Sequence, residues 1–220
     1  MLEHQIKMGR DALFDLLSIH GLLVKRRKRR IQTTHSFHWL RKHPNLIKNW
    51  VPDKVNSLWV SDITYWKIQD NHVYLSLVTD AYSHKIVGYE LAETLEAQGP
   101  IKSLKMALSG LNNWPEHHSQ LIHHSDRGIQ YCSKEYVKLL QDNQILISMT
   151  ENGDPLENAI AERVNGILKD EYLLNFKPSN IGHAKEILQQ SVTKYNEERP
   201  HMSINNLTPH YVHQLSLIHI

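Results

Sequence analysis

"LWVSDITYWKI", residues 58–68, carries an aspartate, Asp62, inside a run otherwise rich in β-branched and aromatic residues. Alternation with period two sets Asp62 on one face with Val60 and Thr64, and Trp59, Ile63 and Tyr65 on the other. A strand interior disfavours aspartate, and an acid among apolar neighbours needs a partner or a cation. An edge strand turning that face to water would also satisfy it. Two further β-rich runs follow at once, "HVYLSLVTDAY" (72–82) and "HKIVGYELA" (84–92), separated by short polar segments. Together the three predict an antiparallel meander.

Helices and strands then alternate. "TLEAQGPIKSLKMALSGL" (94–111) predicts a helix broken early at Gly99-Pro100, and "QLIHHSD" (120–126) a short buried strand. "SKEYVKLLQDN" (133–143) predicts a helix with Ser133 as its N-cap. "QILISMT" (144–150) is another strand. A loop with Gly153 and Pro155 leads to a helix through about Tyr172, and a last helix covers about 180–196. The order βββαβαβα is an α/β arrangement. Upstream, "QIKMGRDALFDLLSIH" (5–20) has helical spacing with a stop at Gly21.

The 220 residues predict one main domain with appendages. The expected organisation is a helical fragment and basic linker at 1–56, a core at 57–210 and a tail at 211–220. No apolar run approaches the roughly 18 residues of a membrane span, and residues 1–10 lack a signal-peptide pattern. One cysteine, Cys132, excludes an internal disulfide and a thiolate zinc cluster; a reducing cytoplasm is the expected compartment. Net charge is +2, but residues 1–50 hold 11 Lys and Arg against 3 acids, while the remainder is acidic. A basic arm on an acidic body predicts a polyanion at one end and a cation at the other.

Two more acids could meet Asp62. Asp126, in "HHSDRGIQY" (123–131), ends the fourth predicted strand, where α/β sheets place ligand-binding groups; it reads equally as a turn residue. Glu162 lies in "ENGDPLENAIAERVNGILKDEY" (151–172). There Ile160, Val164, Ile167 and Leu168 define an apolar helix face, and Asn158, Glu162, Asn165 and Lys169 a polar stripe beside it. That stripe reads as a solvated face or as the wall of a cleft. Asp154 and Glu157 are rivals that also suit caps.

Taken in order, "WVSDITYW", "YLSLVTDAYSHKIVGYEL", "IHHSDRGIQY", "SMTENGDPLENAIAERVNGILKDEY" and "YNEERPHMSINNLTP" resemble the integrase core of DDE recombinases, especially OrfB-type insertion-sequence transposases. The resemblance covers 57–210, and the 35 residues between Asp126 and Glu162 match the family interval. It implies a ribonuclease H-like fold: a mixed five-stranded sheet, three antiparallel strands first, flanked by helices. It implies a DNA transposase that cleaves and joins strands, with Asp62, Asp126 and Glu162 as catalytic and metal-binding acids. Asp62 would bridge two Mg²⁺ ions, Asp126 would serve one and Glu162 the other, with Mn²⁺ as the expected substitute. Gly128 would let the chain turn so that Asp126 stays exposed.

Lys25, Arg26, Arg27, Lys28, Arg29 and Arg30 are the expected phosphate clamp, joined by Lys169, Arg199 and His201; a solvated linker is the alternative for the basic run. The implied partners are element terminal inverted repeats, target DNA, further copies of the chain assembled on DNA, and an upstream-frame helix-turn-helix protein. The expected setting is the bacterial cytoplasm, on the nucleoid. Zinc is disfavoured, because His-Glu-x-x-His is absent, and most of the 16 histidines are expected at the surface or facing DNA. Relatives often carry Asp at the position of Glu157. The N-terminus enters the family pattern partway through the helix-turn-helix region, so a truncated DNA-binding or inhibitory relative, or a structure-selective nuclease, stands as the alternative.

Overall fold

The computed structural model describes residues 8–23, 38–69, 71–111, 121–151 and 158–218. The chain divides into two units, Met1–Gln32 and Thr33–Ile220. In the first, helix α1 (Arg10–Ile19) buries no side chain. The basic run at 25–30, and the rival acids Asp154 and Glu157, lie outside the described residues.

The second unit is built on a mixed sheet in the order β3-β2-β1-β4-β5. Strands β1 (Leu58–Ile68), β2 (Asn71–Asp80) and β3 (Ile86–Ala92) form the antiparallel meander. Strands β4 (Ile122–Ser125) and β5 (Leu146–Met149) add in parallel on the other side of β1. The crossovers are helical, as parallel pairing requires.

Alternation along β1 sorts the core into two layers. Trp59 and Ile63 face helices α2 (Gln98–Leu111) and α3 (Lys134–Asp142), packing with Leu104, Tyr136 and Leu140. Trp66 and Ile68 face α4 (Ala159–Ile167) and α5 (Ile181–Glu198), packing with Val164, Leu188 and Tyr195. Leu58 and Val60 on that second face meet Ala161. Asp62 therefore faces the α4 layer, between Val60 and Trp66.

Local chemistry explains the ends of the elements. Ser133 caps α3 by accepting from the Tyr136 amide, as its position predicts. Gly99 and Pro100 do not break a helix: they form the first turn of α2, where a proline needs no amide hydrogen. Gly88 is required by packing, because a Cβ there would collide with the backbone oxygen of Ser103 on α2. Beyond Ile167 the helix widens into a π-helical turn, Leu168–Leu173, which the periodicity did not indicate. Residues assigned to a tail join helix α6 (Pro209–Ile218), whose Val212 and His213 are buried.

Residues 38–56, expected as linker, belong to the same unit as the sheet. Their strap wraps the β5 edge: the Met149 amide donates to the Pro44 carbonyl (3.2 Å) and the Leu46 amide to Ser148 Oγ (2.9 Å). This contact covers part of an exposed strand edge.

Candidate active site

Asp62 is half-buried on β1 and anchored at both oxygens. Its own strand supplies the Ile63 amide to Oδ1 at 2.9 Å, and α4 supplies Asn165 Nδ2 to Oδ2 at 2.8 Å. A second amide of α4 grips the preceding residue: Asn158 Nδ2 donates to the Ser61 carbonyl at 3.0 Å. Asn158 and Asn165 are seven residues apart, two helical turns, so both lie on one stripe. Glu162 sits between them on that stripe and is therefore directed at β1 beside Asp62. The polar stripe lines the sheet and is not a solvated face.

Asp126 follows the last residue of β4, which runs parallel to β1 in the register Ser61 to Ser125. Continued by one residue, this register sets Asp126, just past the end of β4, beside Asp62 in the middle of β1. The Gly128 amide donates to Asp126 Oδ1 at 2.9 Å. A Cβ at Gly128 would stand 3.0 Å from that oxygen, so glycine permits a close approach. The chain turns at Gly128 without a left-handed backbone, the Tyr131 amide donating to the Gly128 carbonyl at 3.1 Å.

The electrostatics register the convergence. Burial and the nearby carboxylates of Asp126 and Glu162 push Asp62 up to about 7, against the opposing bonds from Asn165 and Ile63. At neutral pH, Asp62 is shared between its acid and carboxylate forms. A hard cation relieves the same repulsion, and carboxylate oxygens suit Mg²⁺. The chemistry of the donor set suits such an ion, although among the described residues no three acidic, imidazole or thiol groups stand close enough together to hold one as they are placed. Among the described residues, the buried Oδ1 atoms of Asn158 and Asn165 have no hydrogen-bond partner, leaving polar capacity around the acids.

Beneath this surface is a buried polar cluster that the sequence did not reveal. His123 Nε2 lies 2.8 Å from Ser61 Oγ and 2.9 Å from Tyr136 Oη. Burial lowers His123 to about 3, so it is neutral. His123, His124, His201 and His213 are buried, four exceptions among the 16 histidines to the expectation that most face solvent or DNA. For His123 and His124 the reason is β4, an inner strand covered on both faces. Histidine at two successive strand positions was the one available signal.

The expected DNA contacts on the core divide. Lys169 stands over the Tyr65 ring at 3.9 Å from its centroid, two turns beyond Glu162 on the same stripe. Arg199 instead forms a bidentate pair with Glu171 in the π-helical turn, at 2.7 and 2.8 Å. His201 is buried, stacked on His84 and edge-on to Tyr195. Their geometry gives both a role in fastening the end of α5 to the core.

Two families, each described as integrase core domain, match residues 52–155 and 143–209. The chain is 33% identical over 211 residues to the insertion element IS600 uncharacterized 31 kDa protein of Shigella sonnei, covering 95% of this chain and 76% of that one. It is 28% identical over 199 residues to the transposase for insertion sequence element IS629 of Shigella sonnei, covering 90% and 66%. Against the putative transposase InsK for insertion sequence element IS150 of Escherichia coli K12, identity is 31% over 76% of this chain and 58% of that protein.

Among solved structures, the HTLV-2 integrase catalytic core domain in complex with magnesium aligns with TM-score 0.58 and 19% identity, covering 73% of this chain and 98% of that one. A simian T-cell lymphotropic virus intasome aligns with TM-score 0.60 and 19% identity, covering 96% and 68%. These likenesses establish the ribonuclease H-like fold expected above. The chain belongs to the integrase-core family of insertion-sequence transposases, enzymes of the DDE polynucleotidyl transferase type.

Proposed function

We propose that the protein cleaves and joins DNA strands at the ends of an insertion sequence, using Asp62, Asp126 and Glu162 to hold Mg²⁺. The observation that carries this reading is the gathering of three carboxylates from β1, the end of β4 and α4, at which Asp62 is raised to about 7. In joining, a 3′ oxygen forms a bond to a target phosphorus as that phosphorus loses its own 3′ oxygen. One phosphodiester replaces another, and the proton leaves the attacking hydroxyl for the departing oxygen by way of solvent. When bound, the divalent ions supply Lewis-acid charge to the phosphate and to both oxygens. The chain's contribution is positional: Asn165 and Ile63 fix the Asp62 carboxylate, and Gly128 fixes that of Asp126. Lys169 is near enough to the site to meet a phosphate, and the run 25–30 serves as a general phosphate clamp. Two DNA ends must react together, so the working form is an assembly of copies on DNA, at the nucleoid of a bacterial cell. Terminal repeats are read with the help of a helix-turn-helix partner.

Asp62→Asn, Asp126→Asn and Glu162→Gln keep shape but lose charge. Each is expected to abolish Mg²⁺-dependent joining of a labelled end to target DNA while retaining DNA binding. Mg²⁺ should also raise the melting temperature of the parent protein, because the ion binds the folded site alone. An equal rise in the Asp62→Asn protein would place the ion elsewhere and defeat the assignment.

A further inference from the structure

We infer that the strap at 38–48 holds an unpaired nucleotide of the DNA end beside the carboxylates, with Trp39 stacked on its base and Arg41 and Lys42 on its phosphates. The inference rests on the DNA-joining reading above. Residues 38–52, "HWLRKHPNLIKNWVP", include Arg41, Lys42 and Lys48 and no acidic residue. Such a segment complements a polyanion on an otherwise acidic body.

The strap is held in place at both ends. His38 Nε2 donates to the Arg127 carbonyl at 2.8 Å, one residue beyond Asp126. Leu40 packs with the α2 and α3 layer, and Ile47 with Leu58, Val60 and Ala161 on the opposite layer. With the Pro44 and Leu46 contacts to β5, the backbone is fastened at five points. Trp39 lies between two of them, His38 and Leu40, yet its side chain is 86% exposed. A large rigid ring presented to solvent by a pinned backbone is a ready stacking surface.

The surrounding charge selects the occupant. Arg41 and Lys42 are exposed, whereas Lys48 faces Glu151 at 4.0 Å. Lys42, Arg127 and Asp126 all act electrostatically on Cys132, which puts cations of the strap and the site acid in one neighbourhood. Among the described residues, the buried Nε of Arg127 has no hydrogen-bond partner. Residue steps are about 3.8 Å and nucleotide steps about 3.4 Å along a strand, so Trp39 is a few nucleotides from Asp126. Bases inside a duplex stack on each other and offer only their edges. An indole face therefore selects a base freed by fraying or cleavage at the reacting end.

The experiment uses the full chain in Ca²⁺ buffer and two DNAs: a duplex with a short 3′ overhang carrying 2-aminopurine, and its blunt counterpart. The parent protein is expected to quench the 2-aminopurine on binding. Trp39→Ala should lose the quenching and bind the overhang about tenfold more weakly, the size of a lost base–aromatic stack. Its affinity for blunt duplex and its melting temperature should not change. Arg41→Gln with Lys42→Gln should weaken both DNAs by the same factor. Full quenching by Trp39→Ala, or equal losses on both DNAs, overturns the stacking inference and leaves the joining reading intact. Failure of the parent protein to bind either DNA overturns both.

Discussion

At the scale of single residues, Asn165 decides how Asp62 is presented. Asn165 is 2% exposed and donates at 2.8 Å to Oδ2 of Asp62, while the Ile63 amide donates to Oδ1, so the two bonds together set the carboxylate plane. Groups that orient a metal ligand typically control affinity by about 10–100-fold. Asn165→Leu keeps bulk and removes the donor. The Mg²⁺ concentration giving half the thermal shift is expected to rise by about that factor, with duplex binding unchanged.

At the scale of elements, helix α2 lies on the sheet only because β3 has no side chain at residue 88. A Cβ at that position would collide with main chain, which cannot rotate away. Gly88→Ala should force α2 outward and cost about 3 kcal/mol, the upper part of the usual range for overpacking. Urea unfolding will report this as a lower midpoint with an unchanged slope. The π-helical turn after α4 has a comparable structural partner in Arg199, whose fork spans both oxygens of Glu171. A wide turn next to the acids is thus fixed by a charge pair with both side chains partly buried.

At the scale of the whole molecule, stability against acid follows from buried titrating groups. Burial lowers His123 and His213 to about 3, and burial with Arg199 and His84 nearby lowers His201 to about 4. His213 stands 3.9 Å from Asp80, but burial beside Lys85 and His210 outweighs that attraction. Below pH 6.5 the unfolded chain protonates these three histidines and the folded chain does not, so stability falls as pH falls toward 4. Asp62 works the other way: raised to about 7, its proton favours the fold at low pH and this contribution is lost as pH rises through 7. His43 and His84 are lowered as well, and Asp80 is raised with Asp62, so the histidines outnumber the acids and the net effect between pH 6 and 4 is a loss of stability. Denaturant titrations across that range check the sign, and Asp62→Asn should make the dependence steeper. A second whole-molecule test concerns the arm: removing residues 1–30 should weaken binding to all DNA sequences alike. The slope of log K against log salt should flatten by up to about 5, at roughly 0.9 for each of six phosphate contacts.

By itself the sequence determined the meander and the Ser133 cap, and its motifs singled out the three acids proposed for the site. Each is encoded locally, by period-two alternation, a single side-chain–amide bond, or a run of motifs. Tertiary structure alone decided what the remaining polar groups do. Glycine and proline at 99 and 100 begin α2 because its first turn requires no amide donor there. His123 and His124 are core residues because two neighbouring strands and both helical layers enclose β4. Arg199 was claimed by Glu171, 28 residues away, a pairing that no local pattern records. The strap at 38–48 shows the difference most plainly: its charge is legible along the chain, but its place beside Asp126 depends on the His38 bond to Arg127, across 89 residues. Long-range contacts choose among the partners that a charged or polar side chain could take, because the free energy of each pairing depends on which other surfaces exclude water from it.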